Sequence, residues 1–469
     1  MKVLVAGAGK LGAKTAQALV RENMDVTIID KNENVIAALS ERMDVLTVTA
    51  NALDFSVYKE LDISTYDLLI AATDSDEANT IVCTAAKKLG CKQTIARIRN
   101  PQYLAEIKFI KEALGITYVI NPEYFTANSI TKYLLKAYSK GVGDFAKGKV
   151  HMIDFAINTH HELTGRMISD LPLMENLVIT AISRHGTIII PDGSTVLETE
   201  DVVHIMGQSS DIEAFQRHFH DSVFTEKRPQ KVMIIGGGRV GLYLTRNLIK
   251  ENIEVTLVEQ SMKRCEELIE HLGSGCLVIH GDGTDLKLLQ EEGIEYMDAF
   301  VATTGMDEVN LLMASIAKQE GVGRAVAKVS RSNYEGMIDR LSLDAAFNPI
   351  YITASNILKA IRGGRAVSVT LLLGGEAEVT EVVLHPKAIV VGMRIMDLNL
   401  PKGIIIGVII RDGEVIIPKG ETVLMGEDGL VLFCLTENLP TLKKFFIYQQ
   451  KVKEGGLINE LRRIHKGDW

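Results

Sequence analysis

The sequence of 469 residues contains few cysteines, few prolines and few aromatic residues. The low content of each excludes several classes of protein. Its five cysteines are odd in number and contain no CxxC pair, so they fit a reducing cytoplasm better than a disulfide framework. With 10 prolines, 39 glycines and 46% apolar residues, the composition is that of a folded globular protein and not of a fibrous or disordered chain.

Long apolar runs and an excess of basic residues are absent as well. The longest apolar run, Ile404–Ile410, has the length of a strand, far below the roughly 20 residues that cross a bilayer. A strand-like run follows Lys2 at once, which argues against a signal peptide. The formal net charge of −9 disfavours nonspecific binding to nucleic acid or anionic lipid. We therefore expect a cytoplasmic protein that does not enter the membrane by itself.

The first half of the sequence recurs in the second half. The run VLVAGAGKLG begins at Val3, and the run VMIIGGGRVG begins at Val232. Corresponding residues lie at nearly constant separations. Gly7 and Gly236 are 229 residues apart, Asn79 and Asn310 are 231 apart, and Asn121 and Asn348 are 227 apart. Because the separation drifts so little, the sequence predicts one unit that is present twice.

Each unit begins with short apolar runs that alternate with helical patterns, which predicts a doubly wound parallel sheet of the α/β class. A helix is expected over Lys10–Glu22, and a connecting helix over Thr126–Lys140. The strands expected in the first copy are Val3–Ala6, Val26–Ile29, Val45–Val48, Leu68–Ala71, Thr94–Ile98 and Tyr118–Ile120.

Each unit ends with short strands and hairpin turns, which predict a small α+β domain. The expected strands are Val178–Arg184, Thr187–Ile190 and Val202–Met206 in the first copy, and Ile404–Arg411, Glu414–Ile417 and Leu430–Leu435 in the second. A charged linker is expected over Thr225–Lys231. The predicted division is into nucleotide-binding domains at 1–140 and 226–365, small domains at 141–225 and 366–450, and a C-terminal tail at 451–469.

A GxGxxG motif, which begins at Gly7, follows the first strand and opens the first helix. Gly7 permits the tight turn, Gly9 lets the backbone approach a pyrophosphate, and Gly12 allows close packing. Asp30 ends the next strand, where its carboxylate accepts hydrogen bonds from ribose hydroxyls and repels a 2′-phosphate. This pattern favours NAD or NADH over NADP, but ATP and ADP also carry a free 2′-hydroxyl and stay open.

The second copy has the same motif at Gly236, Gly238 and Gly241, with Glu259 as its acid. After the third strand it has Gly281-Asp282-Gly283, whereas the first copy has Asn51-Ala52. The two predicted sites therefore differ, so different ligands or affinities are expected.

No reaction centre accompanies these sites in the sequence. The densest polar cluster, His160-His161-Glu162, fits a solvated loop better than a metal site, because no third ligand is suggested by spacing. Neither HExxH nor GxSxG occurs, and Cys83 fits a small buried side chain. A nucleotide-binding sensor is thus favoured over an enzyme. The alternative, an NAD-dependent oxidoreductase, lacks an evident acid/base group and substrate domain.

These motifs resemble those of the regulatory proteins of Trk potassium uptake systems, a family built from tandem RCK (KTN) domains. The resemblance covers essentially the whole chain. It rests on the two glycine loops with Asp30 and Glu259, on Ala72-Thr73-Asp74 leading to Asn79, on Ala96-Arg97-Ile98, on the Gly281–Asp285 run, and on the openings at Gly165 and Gly392 with their Pro-x-Gly turns. It implies two units, each a Rossmann-like RCK N-terminal domain followed by a small RCK C-terminal domain.

The resemblance also implies which residues hold the nucleotide. In the first copy these are Gly7, Ala8, Gly9, Lys10, Leu11, Gly12, Asp30, Lys31, Asn51, Ala52, Thr73, Asp74 and Arg97. In the second copy they are Gly236, Gly237, Gly238, Arg239, Val240, Gly241, Glu259, Asp282, Gly283, Thr303, Thr304 and Lys328. Lys328 departs from the pattern because it replaces the arginine, and Asn51 departs because the usual acid is missing there.

The implied cofactor is NAD or NADH, with ATP or ADP as an alternative, and no metal site is implied. The implied assembly is a homo-oligomer, a dimer or tetramer forming an RCK ring, on the cytoplasmic face of the membrane. Its implied partner is a membrane-embedded potassium transporter subunit of the TrkH, TrkG or KtrB type. A regulator of another potassium channel or of potassium efflux is the alternative with the same fold.

Overall fold

The structure is a computed structural model, and it describes residues 1–446 apart from several short stretches. The stretches left out are 102, 104–105, 136–140, 158–161, 172–175, 185–186, 220–227, 332–333, 335–340, 342, 363–365 and 373–374. Five of the sequence predictions therefore lie wholly or partly outside the described residues: the end of the connecting helix at 136–140, the His160-His161 pair, the turn at 185–186, the start of the linker at 225 and the tail at 451–469.

The chain forms two compact units. The first contains Met1–Thr126 with Pro349–Leu358, and the second contains Ala127–Asn348 with Lys359–Trp469. In the described residues the first unit holds one six-stranded sheet, and the second holds another six-stranded sheet and two five-stranded sheets. The two six-stranded sheets have the same strand order, as the duplication predicts.

The first unit is built on a parallel sheet with strand order β3-β2-β1-β4-β5-β6. Its strands are β1 (Lys2–Ala6), β2 (Asp25–Asp30), β3 (Leu46–Thr49), β4 (Leu68–Ala71), β5 (Gln93–Arg97) and β6 (Tyr118–Ile120). The helices along this part of the chain are α1 (Lys10–Arg21), α2 (Glu33–Ser40), α3 (Phe55–Glu60), α4 (Asp76–Lys88), α5 (Ile107–Leu114) and α6 (Pro122–Leu135). The predicted doubly wound sheet is therefore confirmed.

Strands β1 and β4 lie at the centre of this sheet and are buried along almost their whole length. Burial on both faces explains why their sequences are continuous apolar runs without alternation. Helices α4 and α5 contribute Val82, Cys83 and Ile107 to the core beside these strands. Cys83 is completely buried, and this burial raises the pKa of its thiol, as expected of a structural cysteine.

The connecting helix α6 begins four residues before the predicted start at Thr126. Pro122 occupies the first helical position, where its missing N–H costs nothing. The Asn121 side-chain oxygen caps the helix by accepting a hydrogen bond from the Tyr124 N–H at 2.8 Å. The prediction was wrong here because the Asn-Pro pair was used only as a repeat landmark.

The first small sheet is antiparallel, with order β10-β9-β11-β8-β7, as the hairpin signals predict. Its elements are β7 (Gly141–Phe145), β8 (Val150–Ala156), β9 (Leu177–Arg184), β10 (Thr187–Ile189), β11 (Val202–Gln208) and α7 (Ser209–Phe219).

The second six-stranded sheet repeats the first with order β14-β13-β12-β15-β16-β17. Its strands are β12 (Lys231–Ile235), β13 (Glu254–Glu259), β14 (Leu277–His280), β15 (Ala299–Ala302), β16 (Arg324–Lys328) and β17 (Ala345–Phe347). The helices along this part of the chain are α8 (Arg239–Lys250), α9 (Met262–Leu272), α10 (Leu286–Glu291), α11 (Asp307–Gln319) and α12 (Pro349–Arg362), of which α12 begins in the first unit.

The second small sheet has order β18-β19-β22-β20-β21, which matches the first when read from the other edge. Its elements are β18 (Ala366–Leu372), β19 (Ala377–Val383), β20 (Ile404–Arg411), β21 (Glu414–Ile416), β22 (Gly429–Leu435) and α13 (Leu439–Phe446). One apolar cluster joins the two small sheets, with Met152 and Met206 from the first and Val431 and Phe433 from the second. None of the helices in the described residues is long and apolar enough to cross a bilayer.

A buried arginine–aspartate pair fixes the hairpin in each small domain. Arg411 donates to both carboxylate oxygens of Asp428, at 2.9 and 2.8 Å, and to the Val423 carbonyl. Asp428 raises the pKa of Arg411 and also accepts the Met425 N–H. Arg184 and Asp201 form the same pair in the first small domain. Each pair ties a hairpin strand to the turn that precedes the last strand.

We expect Asp428→Ala to lower the free energy of unfolding by about 3 kcal/mol, because it leaves the Arg411 guanidinium half-buried without its carboxylate. Urea denaturation of the variant and the unaltered chain measures this difference. Glu414→Ala removes an exposed acid from the same hairpin and is the matched control, with a change within about 0.5 kcal/mol. Equal midpoints for the two variants would contradict the role given to the pair.

Candidate functional site

The first glycine loop is shaped by close backbone contacts that only glycine permits. Gly7 has φ of +105°, and a Cβ there would lie 2.8 Å from the backbone of Ala72 and Thr73 at the end of β4. A Cβ at Gly12 would lie 1.8 Å from the Gly7 carbonyl oxygen. Gly236 and Gly241 are confined in the same way in the second copy. The outer glycines of the motif therefore build the turn.

The middle glycine faces open space. A Cβ at Gly9 would meet no atom within 4 Å, and the same holds for Gly238. Both glycines are exposed, as are the neighbouring Lys10 and Arg239, whereas Leu11 and Val240 are buried in the core. The loop thus leaves room for a bulky group directly beside the main chain, which fits the approach of a diphosphate.

Helix α1 begins without a side-chain cap at Gly9, and α8 does so at Gly238. The following helices α2, α3 and α4 are capped by Asn32, Asp54 and Ser75. The first intrahelical bond of α1 runs from Ala13 N–H to the Gly9 carbonyl, so the earlier N–H groups have no partner within the helix. These N–H groups and the positive end of the helix dipole suit an anionic phosphate.

The acid at the end of the second strand holds the glycine loop. Asp30 accepts the Ala8 N–H at 2.7 Å with one carboxylate oxygen and the Asn32 N–H at 2.9 Å with the other. Glu259 binds the Gly237 and Ser261 N–H groups in the same way, both at 2.8 Å. Each carboxylate oxygen keeps acceptor capacity for a ribose hydroxyl. Lys31, the next residue, is exposed.

A buried asparagine connects the ends of the fourth and fifth strands. The Asn79 side chain accepts hydrogen bonds from the Thr73 N–H and hydroxyl at 2.8 and 2.7 Å, and donates to the Arg97 carbonyl at 2.9 Å. Asn310 makes the equivalent bonds to Thr304 and to the Lys328 carbonyl. In the sequence both asparagines are repeat landmarks, and Asn79 also belongs to the family resemblance, but neither motif predicts that the side chain joins the two strands.

The cation at the end of the fifth strand differs between the two copies. In the first, Arg97 lies 3.9 Å from the exposed Asp74 carboxylate, and its buried Nε has no hydrogen-bond partner. Burial, followed by the neighbouring Arg99, lowers the pKa of Arg97. In the second, the Lys328 ammonium donates to the Thr304 carbonyl at 2.6 Å and to the Thr303 carbonyl at 3.4 Å. Arg97 therefore offers an unused donor, whereas Lys328 is engaged by main-chain oxygens.

Thr303 is turned away from the candidate site. Its hydroxyl donates to the Gly236 carbonyl at 2.9 Å, and the residue is buried. The asparagine bonds align Thr73 with Thr304, so Asp74 corresponds to Gly305 and Thr303 corresponds to Ala72. Thr303 therefore stabilises the glycine loop from behind.

The segments after the third strands form tight turns at the same edge of each sheet. Asn51 is exposed and accepts the Leu53 N–H, and the Ala52 carbonyl accepts a hydrogen bond from buried Tyr58. In the second copy Asp282 accepts the Thr284 N–H and hydroxyl, which lower the pKa of Asp282. A Cβ at Gly283 would lie 3.0 Å from the Ile235 side chain, so this glycine allows close packing.

Two further acids, absent from the sequence-based set, fix the loops beside the fifth strands. Buried Asp76 accepts the Arg99 and Asn100 N–H groups at 2.8 and 2.7 Å, and Asp307 accepts the Arg331 N–H. Their position at the first turn of a helix was the available sequence signal. No group of three or more metal-ligating side chains occurs in the part of the chain that the structure describes.

Comparison with known proteins gives a family match over most of the chain. Models of the TrkA-N domain match residues 3–122 and 232–349, and models of the TrkA-C domain match residues 152–220 and 379–447. These matches fall on the two six-stranded sheets and the two small sheets.

Curated relatives align over nearly their full length. The Trk system potassium uptake protein TrkA homolog 1 of Methanosarcina mazei is 34% identical, over 95% of this chain and 100% of the relative. The Trk system potassium uptake protein TrkA of Vibrio alginolyticus is 33% identical, over 93% and 96%. The corresponding protein of Haemophilus influenzae is 31% identical, over 95% and 98%.

Among solved structures, the GsuK channel has a TM-score of 0.52 at 18% identity, covering 94% of this chain and 78% of the channel. The GsuK channel bound to NAD has a TM-score of 0.51, also at 18% identity, covering 95% and 78%. At this identity the likeness establishes the fold, two Rossmann-like domains each followed by a small domain.

The glycine geometry predicts opposite outcomes for two alanine variants. Gly12→Ala forces a Cβ against the Gly7 carbonyl and should lower the free energy of unfolding by about 3 kcal/mol, the upper range for overpacking. Gly9→Ala meets no protein atom and should change it by less than about 0.5 kcal/mol. Urea denaturation measures both. A destabilised Gly9→Ala variant would show that the space beside the loop is not free.

Proposed function

Because this chain belongs to the TrkA family of Trk potassium uptake proteins, we propose that it is the regulatory subunit of a Trk-type or Ktr-type potassium uptake system. Its two Rossmann-like domains bind nucleotides, and the bound nucleotide controls a membrane-embedded transporter subunit. The observation that carries the proposal is a prebuilt phosphate cradle in each half: an uncapped helix start, an open middle glycine and a carboxylate at the second strand.

The proposed ligand of the first site is NAD or NADH, with ATP or ADP as the alternative. Asp30 is placed to receive ribose hydroxyls, and its negative charge repels the 2′-phosphate of NADP. The donors for the phosphates are the N–H groups at the start of α1 and the guanidinium of Arg97. The second site uses Glu259 and the start of α8 in these roles.

The proposed action is regulatory, without chemical conversion of the nucleotide. The described residues around each cradle hold backbone-binding carboxylates and amides, and these are committed to shaping the loops. An oxidoreductase would need an acid or base beside the nicotinamide. The names of the full-length relatives favour potassium uptake as the regulated process.

The proposed assembly is a homo-oligomeric ring, a dimer or a tetramer, on the cytoplasmic face of the membrane. The transporter subunit, of the TrkH, TrkG or KtrB type, supplies the membrane contact. A nucleotide shifts such a ring only if it binds one shape better than the other. The proposed domain limits stay those of the sequence: 1–140, 141–225, 226–365 and 366–450, followed by the tail at 451–469.

Calorimetry with NADH tests the nucleotide sites directly. We expect Asp30→Ala to weaken binding at the first site by at least about tenfold, because it removes both the ribose acceptor and the bond that holds the loop. Glu259→Ala should do the same at the second site and leave the first intact. Glu33→Ala removes an exposed acid three residues from Asp30 and is the control. Steady consumption of NADH in the presence of carbonyl compounds would contradict a regulatory role.

Potassium uptake at limiting external potassium tests the regulated process. Cells that lack this protein should lose most uptake, and the unaltered chain should restore it. A chain with both Asp30→Ala and Glu259→Ala should be produced at normal levels but fail to respond to the nucleotide. Unchanged uptake in cells without the protein would favour the regulation of another potassium channel or of potassium efflux.

A further inference from the structure

Exposed apolar side chains gather on the loops of the second small domain. We name Ile389, Met393, Met396, Val423 and Met425 the methionine patch; their exposed fractions run from 36% to 58%. Three of the five are methionines, whose flexible side chains adapt to the surface of a partner. A group of this kind on a polar surface indicates that something covers it.

The members of the methionine patch lie on two chain segments that are paired through their backbones. Arg394 forms an isolated bridge with Val423, and the Met393 carbonyl accepts the Leu424 N–H at 3.0 Å. The Met396 N–H donates to the Gly420 carbonyl at 2.9 Å. These bonds hold Met393 and Met396 beside Val423 and Met425, and Ile389 precedes Met393 by four residues.

The fold itself does not require this surface to be apolar. At the constant separation of 227 residues, the first small domain has Glu162, Arg166, Ser169 and Glu198 in place of Ile389, Met393, Met396 and Met425. These polar residues are exposed, and Glu198 pairs with Arg184. Val196, which corresponds to Val423, and its bridge partner Met167 are exposed apolar residues, so the first copy presents two apolar side chains here and the second presents five. The larger apolar surface of the second copy therefore has a separate cause.

The second small domain also differs in the sequence that follows it. Helix α13 packs Leu439, Leu442 and Phe446 into the core cluster that contains Ile395 and Leu424, directly behind the methionine patch. The chain beyond Phe446 therefore leaves from this same domain. It continues for 23 residues, 447–469, whereas the first small domain is followed by the link to the second half.

The sequence beyond Phe446 has its own apolar pattern. Leu457, Ile458, Leu461 and Ile464 recur at the spacing that a helix places on one face, and Glu460, Arg462 and Arg463 lie between them. A face of four aliphatic residues matches a patch of five apolar residues in kind and in size. Its attachment to the same domain gives it a high effective concentration at the patch.

We propose that the tail, residues 451–469, docks Leu457, Ile458, Leu461 and Ile464 on the methionine patch and covers it. This inference rests on the second small domain alone and is independent of the nucleotide proposal. It explains why the larger apolar surface occurs on the copy that is followed by residues 451–469 and not on the copy that is followed by the link to the second half.

Methionine oxidation in dilute hydrogen peroxide tests the proposal on the full chain, because sulfoxide formation follows exposure. Met396 and Met425 have exposed fractions of 51% and 49%, near the 57% and 59% of Met262 and Met306, and Met393 is less exposed at 37%. We expect the three patch methionines to oxidise several-fold more slowly than Met262 and Met306 in the intact chain, as measured by mass spectrometry of peptides.

The tail variant Leu457→Ser, Ile458→Ser, Leu461→Ser, Ile464→Ser should bring the patch methionines to the rate of Met262 and Met306. In a chain without residues 451–469 the patch methionines should also oxidise at that rate, which would show that the effect is not specific to the serine substitutions. The matched control, Glu460→Ser, Arg462→Ser, Arg463→Ser, should keep the protection.

Two results would overturn the proposal. Patch methionines that oxidise as fast as Met262 and Met306 in the intact chain would show an open surface. If the patch methionines stay protected in both tail variants, something other than the tail covers the patch. If that protection then disappears when the protein is diluted, the covering group is a second copy of the chain.

Discussion

The bond between the acid of the second strand and the glycine loop is the interaction on which each candidate nucleotide site depends. Asp30 and Glu259 each take a loop N–H with one carboxylate oxygen and the N–H two residues along the chain with the other. The loop is therefore shaped before any ligand arrives. Because the carboxylate is fixed at the same time, the groups suited to the phosphates and to the ribose are set at one mutual distance.

Asn79 and Asn310 impose a second constraint at the opposite side of each cradle. Each amide binds the backbone after the fourth strand and the carbonyl at the end of the fifth, and each is fully buried. Gly7 and Gly236 pack against that same backbone. Contacts thus run from the glycine loop through the asparagine to the end of the fifth strand, where Arg97 and Lys328 lie. Rigid contacts of this type let a small ligand influence the surrounding domain.

The parts of the site that were predictable from the sequence are those that depend on local geometry. Positive φ at Gly7, close packing at Gly12 and an acid at the end of β2 each follow from a short motif, and all are found. Residues whose role depends on distant chain segments were missed or misjudged. The role of Asn79 depends on a carbonyl 18 positions away, and the Thr303 hydroxyl turns to a carbonyl 67 positions away. The sheets were predictable because a strand that is buried on both faces consists of a continuous run of apolar residues, which is easily seen in the sequence.

Duplication within one chain explains how the two cradles share a backbone and yet differ in charge. When Arg97 is replaced by Lys328 in the second copy, the ammonium turns to the Thr303 and Thr304 carbonyls, which satisfies the cation without a ligand. The Nε of Arg97, by contrast, stays unpaired although it is buried. An unpaired buried donor is costly, and a phosphate oxygen that reaches it relieves the cost. The first cradle therefore keeps an unpaired cationic donor that the second lacks, so the two candidate sites are unequal in their attraction for an anionic ligand.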